Sequence, residues 1–404
     1  MLMFVFGAGA SFDSDPARRL GDPDLHPIDT EHRPPLAAGL LDPSSRRGKE
    51  VVAAFPRAAS LIMQLRQATA QGLDVEEVLE QIKLAEDTYP ETATQLLAFR
   101  AYLARLMDEV PAEWVEECQG LTNYVLALAQ ADRWNVEVRG GALGTPIGCV
   151  TFNYDSMLEQ AVRSVFGLHL NDMDKYATHQ RIHVYKPHGS VTWRRESQWD
   201  MSPGSWLDGV GGLNHAIELA PALKWGDRWA YVTDDRYQDP DDATTAWLPA
   251  LSIPVRSKSE FTMPEWHRVE MVADLAKVTA VIAVGWRARE RHFLQLLQDE
   301  MPSRPARLVA VAESTEAAEE TVNNLWETGR FNSYAISSLG FSGFVETPTE
   351  PYSQRATVDR THLCLQDVLS AGPQSGVWTG RTPGPGLAAD LAPAALINPG
   401  YVDL

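Results

Sequence analysis

Apolar positions along this chain fall into two recurring patterns, short unbroken runs and stripes at helical spacing. Leu2 to Phe6 is a continuous apolar run, as expected of a strand buried on both faces, and Gly7 and Gly9 end it. A loop rich in Pro and Asp follows to about Gly48. From Glu50 to about Arg133 the pattern is helical: Val75, Leu79 and Ile82 share a face, as do Leu96, Phe99, Leu103 and Leu106. Trp114, Cys118, Leu121, Val125 and Leu128 keep a further stripe, and Pro90 and Pro111 fit first-turn positions of successive helices. Beyond the glycines at 140, 141 and 144, Ile147 to Phe152 predicts a second buried strand, with a helix from about Ser156 to Phe166. Ile182 to Tyr185 is a third strand, stopped by Pro187, and residues 194–247 read as irregular. The alternation then resumes: strand near Leu251 to Val255, helix after Pro264, strand Ala280 to Val284, helix Glu290 to Asp299, strand Leu308 to Val311, helix Glu316 to Trp326.

Strands alternating with helices predict an α/β fold: a mostly parallel sheet with helices on both faces, interrupted by a helical insertion at about 50–135. One elaborated domain is expected over 1–346. Residues 347–404, rich in Gly, Pro and Ala towards their end, read as a weakly structured C-terminal extension with one short helix around Leu363 to Leu369.

Charge narrows the partners. The chain has 404 residues and a net charge of -19, which disfavours nucleic acid and anionic membranes as ligands. Residues 74–117 hold 12 acids against 3 bases, which is either a solvated helix face or a docking surface for a basic partner. No run approaches the roughly 18 apolar residues of a membrane span. The three cysteines, Cys118, Cys149 and Cys364, have no C-x-x-C spacing, so a four-cysteine zinc site is excluded and a reducing, cytoplasmic location is expected.

Four turns, each placed after a predicted strand, carry the candidate chemistry. Gly7-Ala8-Gly9-Ala10-Ser11 offers backbone N–H groups that a diphosphate could approach, although Phe12 stands where a third glycine would complete the dinucleotide fingerprint; a tight strand-to-loop turn is the other reading. In Thr151-Phe152-Asn153-Tyr154-Asp155, Asp155 or Ser156 could cap the next helix, and Ser156 with Glu159 matches a capping box, but a cap has no use for Asn153. Lys186-Pro187-His188-Gly189-Ser190 supplies an imidazole that can act as a general base, or merely a turn residue. Val284-Gly285-Trp286-Arg287 offers close backbone approach at Gly285 and a cation at Arg287; Glu290 in the first turn of the next helix is the structural alternative. P-loop, zincin and α/β-hydrolase motifs are absent, and His179, His183 and His188 lack the companions of a metal site. Six of twelve tryptophans (Trp193, Trp199, Trp206, Trp225, Trp229, Trp247) gather in or beside the irregular segment, as loop packing or as a stacking lid.

Taken in order, these four turns resemble the sirtuin-like family, and more narrowly its bacterial branch of NAD-consuming domains in antiviral defence systems. The resemblance covers most of residues 1–312, with the helices at 50–133 and the Trp-rich segment matched only in position. It implies a Rossmann-like sheet that binds NAD, with Gly7, Ala8, Gly9 and Ser11 at the diphosphate. By the same resemblance Asn153 and Asp155 lie by the nicotinamide-side ribose, His188 and Gly189 form the catalytic-histidine turn, and Gly285 and Arg287 lie towards the adenosine half. Lys258 resembles a recurrent basic position. The chain departs from the deacylase pattern in lacking four cysteines, and Trp286-Arg287 replaces the usual Ser or Thr near the adenosine half.

The expected activity is therefore hydrolysis of the nicotinamide–ribose bond, with Asn153 and His188 catalytic, NAD+ as substrate and no metal. A non-catalytic NAD or ADP-ribose sensor, a zinc-free deacylase or ADP-ribosyltransferase, and an interaction scaffold are the competing readings. A permanently active NAD hydrolase would empty the host's pool, so control by homo-oligomerisation or by a defence-system partner is expected.

Overall fold

The structure is a computed structural model and describes residues 1–17, 33–36, 39–42, 45–86, 88–138, 145–198, 209–233, 237, 245–253, 261–302, 306–346 and 363–370. Its elements run β1 (Leu2–Phe6), α1 (Ala8–Phe12), α2 (Arg46–Ala54), α3 (Ala59–Ala70), α4 (Val75–Leu84), α5 (Pro90–Glu117), α6 (Asn123–Val138), β2 (Ile147–Thr151), α7 (Met157–Phe166), α8 (Lys175–Thr178), β3 (Ile182–Tyr185) and β4 (Gly189–Gln198). They continue with α9 (Gly209–Glu218), β5 (Lys224–Tyr231), β6 (Thr245–Leu251), α10 (Glu265–Leu275), β7 (Ala280–Val284), α11 (Arg291–Glu300), β8 (Ala306–Val311), α12 (Thr315–Trp326), β9 (Phe331–Ser337), α13 (Gly340–Val345) and α14 (Leu365–Ser370).

Six strands form one parallel sheet in the order β3-β2-β1-β7-β8-β9. Numbered within that sheet alone, the order is 3-2-1-4-5-6, so the fold is α/β and Rossmann-like. β1 is apolar at every position because it is central: Met3 pairs with Gly148 on one side and Val281 on the other. The strand order reverses between β1 and β7, and open α/β sheets form their ligand crevice at such a switch point, outside the carboxyl ends of the strands.

Three sequence expectations change. Residues 194–247, read as irregular, contribute to a separate antiparallel sheet, β5-β4-β6, and to α9. Strand alternation is hidden there because β4 is buried on both faces and carries charged residues among its buried positions: Arg194 donates to Val191 O, and Glu196 accepts from Arg228. Pro249 lies within β6, an edge strand, where a missing N–H is tolerated. The strand expected near Leu251 to Val255 is thus β6, which ends at Leu251 and belongs to this second sheet. Secondly, Pro111 does not begin a helix but lies inside the 28-residue α5. Thirdly, the stripe from Trp114 to Leu128 crosses a break, because Gln119 and Gly120 turn the chain with positive φ and α6 starts afresh at Asn123. Leu121 is accordingly exposed, and Tyr124, Ala127, Leu128 and Ala131 form the buried face. β9 and α13, beyond the last expected helix, were not foreseen.

Two hydrophobic cores result. The parallel sheet packs with α6, α7 and α10 to α13 into the main core. The helices α2 to α5 form a second core with α9, β4 and β6, so the helical insertion packs on the antiparallel sheet. α6, within the range read as insertion, belongs to the main core. So does the short helix expected near Leu363: Leu363, Leu365, Val368 and Leu369 are buried in it. The rest of the expected C-terminal extension, residues 347–362 and 371–404, lies outside the described residues, as do Lys258, Trp199 and Trp206. No helix among the described residues is long and apolar enough to cross a membrane.

Candidate active site

The first and fourth turns close on each other at the switch point. Gly7 N donates to Val284 O (3.0 Å), and Gly9 N donates to Gly285 O (3.0 Å). A Cβ at Gly7 would lie 2.5 Å from Gly285 O, and one at Gly285, whose φ is +55°, would lie 2.4 Å from Ala10 N. These glycines are therefore required by turn-on-turn packing, whatever ligand comes near. Ala8 is exposed at the start of α1, and Ser11, one turn on, is buried.

Ser11 leads to the second turn. Its Oγ donates to Asp155 Oδ2 (2.8 Å) and lies 3.0 Å from Tyr124 OH. Asn153 Nδ2 lies within hydrogen-bond reach of Gly7 O (2.9 Å), Ser11 Oγ (2.9 Å) and Tyr124 OH (3.0 Å), so one of its two protons is shared between the hydroxyls. Asn153 thus joins the ends of β1 and β2 directly, which a helix cap would not do. Asp155 Oδ1 accepts from Met157 N (3.0 Å), so Asp155 caps α7 while its other oxygen serves the site. The expected capping box is not formed: Ser156 makes no side-chain cap bond, and Glu159 turns inward to Lys186.

Lys186 ties the third turn to the second. Fully buried, its Nζ donates to Asp155 O, Tyr154 O (3.3 Å) and Glu159 Oε1 (2.7 Å). Val191 N, in β4, donates to Tyr154 O (3.0 Å), so the start of β4 is also tied to the turn after β2. Burial pushes Asp155 above the usual carboxylate range, against which the Lys186 charge and the Ser11 hydrogen bond act. Burial likewise holds Tyr124 well above the ordinary tyrosine value, so its phenol stays protonated.

His188 is buried beside Phe152, with ring centroids 4.8 Å apart, and 6.0 Å from the His292 ring. Phe152 stacks on Trp286 (5.1 Å, 18° between planes), and Phe293 meets both edge-on. Trp286 is therefore part of an aromatic wall, and its Nε1 donates to Glu290. Gly189, with φ +82°, lets β4 pass against β6, since a Cβ there would meet Ala250 O at 2.0 Å. Arg287 points away from this cluster, half exposed, towards Glu313 (3.8 Å) and Glu320 (3.6 Å).

Nine of the ten nominated residues, all but Arg287, thus lie in or against turns joined by hydrogen bonds or ring packing at one sheet edge. Residues 148–334 match a SIR2-like domain. The match supports the sirtuin-like family and, with it, the use of NAD. It begins in β2 and ends in β9, so it takes in Asn153, Asp155, His188, Gly189, Gly285 and Arg287 but leaves out Gly7 to Ser11. Comparison with curated proteins gives no match. Among the described residues no group of three or more metal-ligating side chains gathers.

Sequence reading missed Tyr124 and gave Lys186 and Glu159 no place in the site. Lys186 was within reach, because a lysine one residue beyond a buried strand and before Pro-His-Gly must find a counter-charge. Tyr124 gave no signal, since a tyrosine in a helix looks like any other core residue. A separate open cleft of about 860 Å3 between α8, β5 and α10 is lined by Trp229, Tyr231, Trp266 and five carboxylates; none of the nominated residues lines it.

Proposed function

We propose that this protein is an NAD+ hydrolase, cleaving the nicotinamide–ribose bond to give nicotinamide and ADP-ribose. The observation that carries the reading is the fixed Asn153 carboxamide that joins the β2 end to the β1 end beside the switch point, with His188 across Phe152. Cleavage passes through an oxocarbenium-like state, so the site must desolvate the ribose and offer a nucleophile. The C1′–N bond breaks with its electron pair leaving on nicotinamide, and the oxygen of a water held by Asn153 bonds to C1′. His188 takes the proton from that water and returns it to solvent. Phe152, Trp286 and Phe293 form a wall that excludes bulk water, and a diphosphate would approach at exposed Ala8, since the N–H groups of Gly7, Gly9 and Ala10 are spent on Val284 O, Gly285 O and Gly7 O.

Water is the simplest acceptor here, since three cysteines cannot build the zinc module beside which deacylases bind acyl-lysine peptides. Depletion of NAD in antiphage defence is the biological role that the resemblance favours. Such an enzyme must be held inactive until needed, and the acidic face of α4 and α5 is the proposed contact for an activating assembly. Purified protein, alone and with its native partners, is incubated with NAD+ and the products identified; nicotinamide with ADP-ribose is expected, and binding without turnover would make it a sensor instead. Asn153→Ala and His188→Ala should each abolish turnover with far-UV circular dichroism unchanged, and activity retained in both would reject this site.

A further inference from the structure

We infer that Tyr124, delivered by α6, is a positioning residue that with Ser11 and Asp155 holds the Asn153 carboxamide in its working orientation. The inference rests on the hydrolase reading and extends the site to a residue 29 positions before Asn153, outside the SIR2-like match.

The direction of each proton in the network carries the argument. Gly7 O can only accept, so the Asn153 atom 2.9 Å from it must be the amide nitrogen; a flipped carboxamide would set two acceptors against each other. Tyr124 has one proton. One Asn153 amide proton goes to Gly7 O and the other is shared between Ser11 Oγ and the Tyr124 oxygen; because Ser11 gives its own proton to Asp155, the Tyr124 proton goes to Ser11 Oγ, 3.0 Å away. Ser11 in turn passes its own proton to Asp155 Oδ2 (2.8 Å). The chain runs one way, from carboxamide through phenol and hydroxyl to a carboxylate, and every member is buried. With its nitrogen fixed against Gly7, Ser11 and Tyr124, Asn153 has only Oδ1 left to face the crevice, and no described residue bonds that oxygen. An acceptor is what a water attacking C1′ needs as it gives up its proton.

The phenol itself is held by the main core: its ring meets Phe6 edge-on at 5.0 Å and Phe341 at 5.4 Å. Tyr124→Phe therefore removes the hydroxyl and keeps the packing. Its kcat for NAD+ should fall about tenfold or more while KM stays within about twofold and the melting temperature is unchanged, as for removal of a group that orients a reacting one. A second readout needs no turnover. With asparagine-selective 15N labelling, the side-chain pair that vanishes in Asn153→Ala identifies Asn153, and in Tyr124→Phe that pair should shift and exchange faster with solvent. An unmoved pair overturns the inference whether or not NAD+ is cleaved, and so does a moved pair with unchanged kcat in an active enzyme. Wild-type protein that releases no nicotinamide would instead remove the hydrolase reading, and the labelled pair would still decide whether Tyr124 holds Asn153.

Discussion

His267 carries its proton on Nε2, because the partner of that atom, Met173 O at 2.8 Å, can only accept. Its Nδ1 has no hydrogen-bond partner and the residue is fully buried, so a second proton has no counter-charge to meet. Burial lowers its pKa to about 4 from an ordinary 6.5. Between those values the unfolded chain binds a proton that the folded one refuses, so stability falls as pH drops below about 6.5. Acidification from pH 7 to 5 should cost about 2 kcal/mol through this residue alone. Urea unfolding at both pH values measures it: His267→Gln, which keeps a donor for Met173 O, should lose about 2 kcal/mol less than the parent over this range. Equal losses in the two proteins would mean that His267 titrates normally.

Among the elements, the turns after β1 and β7 show how a residue's stated purpose can differ from its physical one. Gly167 and Gly285 both have positive φ, but a Cβ at Gly167, the C-cap of α7, meets nothing within 4 Å, while one at Gly285 runs into the Gly9–Ala10 backbone. Gly167→Ala should therefore cost only the conformational penalty, about 1 kcal/mol, whereas Gly285→Ala should cost about 3 kcal/mol or more because a whole turn must move. Denaturant midpoints would test the order, and equal costs would refute the turn-on-turn account. The sequence made the strands of the parallel sheet legible because burial on both faces writes them as unbroken apolar runs, as in Leu2–Phe6 and Ala280–Val284. The antiparallel sheet was not legible: β4 places Arg194 and Glu196 inside, and their partners, Val191 O and Arg228, are fixed only by the fold. The same holds at the site, where Asn153 stood out because a cap could not explain it, while Tyr124 acts through contacts made 113 and 29 residues away.

On the scale of the whole molecule, the candidate site lies on the seam between the two cores. Phe152 belongs to the main core and Tyr154, two residues on, to the second; Trp193 and Val191 divide in the same way. The cores are also joined by a single helix, since α5 places Leu96 to Met107 in the second core and Trp114 and Val115 in the main one. Pro111 falls between these groups, where it lacks the N–H that would bond Met107 O, so the one weakened turn of α5 sits where the helix passes from one core to the other. Separating the cores would mean breaking α5 and tearing β4 from its shared packing, so they should unfold together. Leu248→Ala, a fully buried truncation in the second core, should cost about 2–5 kcal/mol and shift the entire transition, whether followed by far-UV circular dichroism or by tryptophan fluorescence. Two separated transitions, with only one displaced, would show that the helical insertion and antiparallel sheet melt independently. Coupled unfolding would mean that a partner docking on α4 and α5 can alter the stability of the seam that holds Asn153 and His188, without touching either residue.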